Sequence, residues 1–217
     1  METEFIYWRH KTPVGIKVEE VCGSEQRSGH LWRQMAEQVY QENGKDGYRE
    51  VDHYPNGAPY LVGDNSRISL SHTDHLLVVA TLPGTPEADL SKFSLRTAMG
   101  IDTERADREQ VLRVREKFLN DDELARIPAD DLLQNIVAWT CKEALYKAAL
   151  TEGLDYRNAI CIEKLPAIEP MEIGEAVMMM PSGEKVDMHL YSYLSEEYVV
   201  TIAFSPKCAK FTKGIKQ

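Results

Sequence analysis

The 217-residue chain has no surplus of positive charge, no long apolar run and no clustered cysteines. Lysine and arginine number 25 against 35 aspartates and glutamates, a formal net charge of −10. The broad basic footprint of a nucleic-acid binder or a polybasic membrane surface is therefore missing, and an anionic ligand must be met by local groups. No stretch approaches the roughly 18 consecutive apolar residues that span a bilayer. The opening residues METEFIYWRH start with acids and hold no apolar signal core, so a cytoplasmic location is expected. Cys22, Cys141, Cys161 and Cys208 lie far apart with no CxxC pair, which argues against a zinc or redox motif and for idle, reduced thiols.

What is present is a composition that folds. At 43% hydrophobic residues, the chain can bury a sizeable core, as one large domain or as two halves of about a hundred residues each. Helical spacing of Leu31, Met35 and Val39 predicts a helix over 26–43, with Asn43-Gly44 as its stop. RISLSHTDHLLVVATL reads as a hairpin that breaks at Thr73-Asp74 and buries one face, and 82–97, punctuated by Pro83, Gly84 and Pro86, as a long loop. AMGIDTERA then predicts a strand. FLNDDELARI predicts a helix opening at Asn120, with Glu123 three residues on to complete a capping box. A major helix follows over 131–152, closed by Gly153, and HLYSYLSEEYVVTIAF forms a second hairpin. Helix followed by hairpin thus occurs twice. The expected fold is α+β, a pseudo-twofold pair of similar halves over 1–98 and 99–217, each packing a long helix on a small antiparallel sheet.

Two charge patterns stand out from this frame. On the helix containing WTCKEALYKAAL, Leu132, Ile136, Trp139 and Leu150 fall within roughly 40° of Glu143, and Lys147 lies one turn further on, so an acid-base pair sits in an apolar stripe. In GIDTE, Asp102 and Glu104 are two apart on a strand and share a face. Three acids converging in a partly dry site raise one another's pKa values unless a cation offsets them. All-oxygen ligation points to Mg²⁺ or Mn²⁺, which commonly leaves positions for water and a substrate phosphate. Upstream, Ser71 and His72 in SLSHTD end a hairpin strand, where a hydroxyl and an imidazole can donate to phosphate oxygens.

WTCKEALYK resembles the W-x-x-K-E-A-x-x-K signature of the 4′-phosphopantetheinyl transferases, GIDTE their G-I-D-x-E, ISLSH their Ser-His element and GAPYL their G-K-P-x stretch. The order and the chain length resemble those of the larger, monomeric type, which activates fatty-acid, polyketide and nonribosomal peptide synthases. The resemblance implies two halves with the active site in the cleft between them. It implies Mg²⁺-dependent transfer of the 4′-phosphopantetheine arm of coenzyme A to a serine of an apo acyl or peptidyl carrier protein, releasing adenosine 3′,5′-bisphosphate. It assigns Asp102, Glu104 and Glu143 as metal ligands, Glu143, Lys147 and Asp102 as the catalytic set, and Ser71, His72 and Lys147 as contacts to coenzyme A. The coenzyme A phosphate contacts of Ser71 and His72 would then lie in 1–98, and the metal site and signature helix in 99–217. A catalytically inactive relative that only binds coenzyme A or carrier protein, and a metal-dependent phosphoester hydrolase, are the rival readings. Ala58 departs from the pattern by replacing the lysine. The basic residues of 105–117, Arg113 and Arg115 among them, read either as a solvated helix face or as the dock for an acidic carrier.

Overall fold

A computed structural model of the chain describes residues 5–12, 16–23, 50–64, 66–82 and 98–208. The helix expected over 26–43 and, apart from Leu82, which ends a strand, the loop expected over 82–97 lie outside the described residues. Two compact units are present, one drawn from residues 1–94 and the other from residues 95–208.

The first unit is an antiparallel sheet of six strands: β1 (Phe5–Lys11), β2 (Lys17–Gly23), β3 (Val51–His53), β4 (Pro59–Leu61), β5 (Arg67–His72) and β6 (Leu76–Leu82), in the order β1-β2-β6-β5-β4-β3. The expected hairpin is β5–β6. Its turn closes on Thr73, whose amide donates to the Leu76 carbonyl at 2.8 Å and whose hydroxyl accepts from the Leu76 amide at 3.2 Å. The hairpin departs from expectation in burial. Strand β6 lies between β2 and β5 and is buried at every position from Leu76 to Thr81, so both of its faces are covered, as its unbroken apolar run would give in a central strand. Val21, Val51, Leu61, Ile68, Leu77 and Val79 form the core here.

The second unit is a five-stranded antiparallel sheet with three helices. Its strands are β7 (Met99–Arg105), β8 (Ile160–Lys164), β9 (Gly174–Met179), β10 (Lys185–Ser195) and β11 (Tyr198–Phe204), in the order β7-β11-β10-β9-β8; the helices are α1 (Gln110–Phe118), α2 (Asp121–Arg126) and α3 (Leu132–Ala149). The architecture is α+β, with the long α3 packed across β7 and β11. Among the described residues no helix is long and apolar enough to cross a membrane, and all four cysteines are free thiols.

Local sequence explains the helix starts. The Asn120 side chain accepts from the Glu123 amide at 2.9 Å and the Glu123 carboxylate accepts from the Asn120 amide at 2.8 Å, the reciprocal capping box expected from FLNDDE. Asp131 caps α3 by accepting from the Gln134 amide at 3.0 Å. The far end of α3 is shorter than expected. Leu150 takes a left-handed conformation, φ 50°, and ends the helix before Gly153 is reached.

What brings α3 so close to β7 is Gly100. A Cβ there would lie 2.7 Å from the Ala148 nitrogen and closer still to the Ala144 carbonyl oxygen, so a side chain is excluded by the helix backbone itself. A buried hydroxyl chain then sets the helix against the sheet: Thr140 Oγ1 meets Thr201 Oγ1 at 2.7 Å, and Thr201 Oγ1 meets Ser192 Oγ at 2.7 Å. Thr201 is also the strand partner of Asp102.

Candidate active site

Asp102 and Glu104 share one face of β7, and α3 lays Trp139, Glu143 and Lys147 along them. The Lys147 ammonium donates to Asp102 Oδ1 at 2.7 Å and to the Ile101 carbonyl at 3.1 Å. Glu104 accepts from the Trp139 indole at 3.0 Å and is paired with the Arg108 guanidinium. Glu143 lines the same groove as Tyr156 and lies within the fields of Asp102, Lys147 and Glu104. Burial pushes the carboxyls of Glu104 and Glu143 above the ordinary range and the negative charge of Asp102 adds to it, while their cationic and hydrogen-bonding partners pull the other way.

Beside this cluster an open groove of about 540 Å³ runs between α1 and α3. Val111, Val114, Phe118 and Trp139 give it apolar walls; Arg108 and Lys117 add positive charge; Glu143 and Tyr156 add hydrogen-bonding groups. Acids meeting cations at the side of an apolar groove, on one face of a rigid strand-helix pair, make a site for charged chemistry.

Residues 98–203, which hold all of these groups, match the family model of the 4′-phosphopantetheinyl transferase superfamily. This segment is a domain of that superfamily. No curated protein matches the chain. Membership implies transfer of 4′-phosphopantetheine from coenzyme A to carrier proteins, and the superfamily is generally Mg²⁺-dependent.

Within the transferase domain the donor set suits such an ion. It consists of three carboxylates with no thiolate or imidazole among them, two of them held above their ordinary pKa by burial and mutual repulsion, a situation a dication relieves. The side chains as they stand give that charge to Lys147 and Arg108, and among the described residues no three Asp, Glu, His or Cys side chains are arranged to hold an ion.

Several expectations are refined by the transferase domain's packing. The arc of α3 around Glu143 is not its core face. Of Leu132, Ile136, Trp139 and Leu150 only Ile136 is buried, and the face against the sheet is built from Val137, Cys141, Ala144, Leu145 and Ala148. Glu143 and Lys147 are half-buried at the helix margin, next to the groove rather than under the core. Nor is the basic segment uniformly free for docking. Arg115 is committed to the domain's interior contacts, with Nε donating to Asn135 Oδ1 at 3.0 Å and a terminal nitrogen to the Ile127 carbonyl at 2.6 Å. Arg105 pairs with Asp107 and Glu197, Arg108 pairs with Glu104, and Arg113 and Lys117 are the residues left exposed.

The first unit holds the remaining predicted residues. Ser71 and His72 end β5 and, being consecutive, point to opposite faces: Ser71 is buried and His72 exposed. Ala58 follows Gly57, φ 78°, in the turn between β3 and β4, with its amide donating to Asn56 Oδ1 at 3.1 Å.

Sequence patterns missed one feature behind the site. Lys142, the first lysine of the signature, is fully buried and paired with the equally buried Glu123 at 2.8 Å. Its ammonium also donates to the Tyr156 carbonyl at 2.9 Å and to the Ile160 carbonyl, while Glu123 accepts from the Ile162 amide at 2.6 Å. Burial pulls the Lys142 pKa down, and the Glu123 charge opposes that. Every proton of the ammonium has an acceptor. The pair joins α2, α3 and β8 directly behind the Glu143 face.

Proposed function

We propose that the protein transfers the 4′-phosphopantetheine arm of coenzyme A to a serine hydroxyl of an apo acyl or peptidyl carrier protein and releases adenosine 3′,5′-bisphosphate. The observation that carries the reading is the juxtaposition of Asp102 and Glu104 on β7 with Glu143 and Lys147 on α3, inside the segment matching the superfamily. Asp102, Glu104 and Glu143 would hold the Mg²⁺ or Mn²⁺ ion, which when bound supplies positive charge against the coenzyme A pyrophosphate.

The chain's own groups account for the rest. Glu143, with its raised pKa, is suited to accept the serine proton as the serine oxygen bonds to phosphorus. The bond from phosphorus to the adenosine bisphosphate oxygen breaks, and the Lys147 ammonium stabilises the negative charge left on that side. Ser71 and His72 are assigned to the adenosine-side phosphate by resemblance to the family. The larger monomeric subtype, the halves at 1–98 and 99–217 and their pseudo-twofold relation belong to the same reading, supported by helix followed by hairpin in each half of the sequence and by α3 followed by β10–β11. A cytoplasmic site of action fits the chemistry of its substrates.

Coenzyme A labelled in its pantetheine arm tests the proposal against both rivals. Label on a carrier protein, dependent on Mg²⁺, is the expected result. Binding without transfer would leave the inactive relative, and label released to water would leave the hydrolase.

A further inference from the structure

Two protein donors reach the Glu104 carboxylate, and both take the same oxygen. The Trp139 indole N–H donates to Oε1 at 3.0 Å, and the Arg108 guanidinium, from the connection between β7 and α1, pairs with Oε1 as well. Among the described residues no donor reaches Oε2. The indole is itself held between rings. It meets Phe118 of α1 edge to face, with centroids 5.0 Å apart and planes 76° apart, and lies nearly parallel to Tyr156 at 6.4 Å. Tyr156 in turn stacks on Tyr146 at 4.9 Å, and its carbonyl accepts from the buried Lys142 ammonium at 2.9 Å. The spacing on α3 gives the arrangement a regular form. Trp139, Glu143 and Lys147 are four apart and occupy successive turns of one helix face. The outer two are donors, and each takes one oxygen of a β7 acid, Trp139 that of Glu104 and Lys147 that of Asp102 at 2.7 Å.

We propose that Trp139 is a positioning residue for Glu104, its indole N–H holding Oε1 so that Oε2 stays available to the dication. A glutamate has three rotatable bonds and loses rotamer freedom when it is ordered for a ligand. A tryptophan has two, here restrained by the rings on either side, and a donor held rigidly passes that rigidity to the carboxylate it binds. Arg108 does not make the indole redundant. Its guanidinium ends a long, part-exposed side chain, and its charge repels a dication on the same carboxylate, whereas the indole orients Glu104 as a neutral donor. The inference rests on Glu104 ligating the ion as proposed above.

Trp139→Phe keeps an aromatic ring between Phe118 and Tyr156 and removes the N–H, and the half-buried position tolerates the smaller ring. Mn²⁺ binding is read from the loss of the free-ion electron paramagnetic resonance signal, without coenzyme A or carrier present. It is measured for Trp139→Phe, Glu104→Ala and the double variant, each well below its unfolding midpoint. Expected are binding about tenfold weaker in Trp139→Phe and a loss at least as large in Glu104→Ala. The double variant should bind within about twofold of Glu104→Ala, because a donor that acts through Glu104 then has nothing left to position. In turnover, Trp139→Phe should show a comparable fall in kcat with a KM for coenzyme A within about twofold of the unsubstituted protein. Unchanged Mn²⁺ affinity in Trp139→Phe, or losses that multiply in the double variant, would overturn the positioning role and leave Glu104 a ligand. Undiminished affinity in Glu104→Ala would remove Glu104 from the ion and the inference with it.

Discussion

Replacing Gly100 with alanine should damage both stability and the site, because one contact serves both. The added Cβ would stand 2.7 Å from the Ala148 nitrogen and nearer still to the Ala144 carbonyl oxygen, where ordinary contact begins at about 3.4 Å. Both obstacles are helix backbone, so no side chain can swing aside, and α3 has to retreat from β7 by something approaching an ångström. Overpacking of this kind costs about 1–3 kcal/mol, and a rigid obstacle puts Gly100→Ala at the upper end, near 3 kcal/mol. At about 2–4 °C per kcal/mol for a chain of this size, the thermal midpoint should fall by roughly 6–12 °C. The same retreat draws Lys147 away from its 2.7 Å contact with Asp102 and Glu143 away from the β7 carboxylates. Since misplacement by an ångström can cost about a hundredfold in rate, kcat of the folded fraction should drop at least tenfold. Thermal and urea unfolding by circular dichroism, with transfer assayed well below the midpoint, reads both effects. Gly153→Ala is the control: its φ of +73° brings strain, but no atom lies within 4 Å of the new Cβ, so a small loss of stability with full turnover is expected. A Gly100→Ala protein with wild-type midpoint and turnover would refute the close approach on which the site geometry depends.

Lys142→Met strands the Glu123 carboxylate in the interior and should cost about 3–5 kcal/mol in urea unfolding; Lys142→Met with Glu123→Gln, which keeps the capping oxygen but removes the stranded charge, should recover at least half of it. A mild single variant, or a double variant no better than the single, would contradict the pairing. In metal-free protein the raised pKa of Glu143 means that the folded state binds its proton more tightly than the unfolded state, so stability falls as pH rises from the ordinary carboxylate range through the folded value. Glu143→Gln should therefore raise the thermal midpoint at pH about 7, with the advantage fading as pH drops to about 4; a destabilised variant at neutral pH would reverse the sign. Arg113→Glu should raise KM for the carrier and leave KM for coenzyme A unchanged, whereas Arg115→Glu should lower the unfolding midpoint instead, because its guanidinium holds Asn135 and the Ile127 carbonyl. Equal KM changes for both substrates in Arg113→Glu would reject docking at this helix.

Features written in short-range pattern are legible in the sequence alone. The capping box needs only Asn120 and Glu123 in order, the β5–β6 and β10–β11 hairpins need only apolar runs around a turn, and Asp102 and Glu104 share a strand face by alternation alone. Features decided by distant partners were not. Lys142 reads as a helix-surface residue until β8 and α2 close over it and Glu123 meets it from nineteen positions away. The apolar arc of α3 pointed to the wrong face, since α1 covers the helix on a side the sheet does not reach, so burial extends beyond the sheet-facing stripe and periodicity weakens. Arg115 looked like its charged neighbours, and only the fold of α1 over the start of α3 turns it inward. Tyr156 carries no pattern at all, being a loop residue set into the groove wall by stacking on Tyr146 of α3.

The measurement that bears most directly on the account is the intact mass of candidate apo carrier proteins after incubation with coenzyme A, Mg²⁺ and this protein, run beside Asp102→Ala and Glu143→Gln. The account predicts a gain of one phosphopantetheinyl group on a carrier serine with the unsubstituted protein, none with chelator, and most of the turnover lost in both variants while their unfolding remains cooperative. Modification at an undiminished rate by either variant at limiting metal, or no modification of any carrier by the unsubstituted protein, would contradict it.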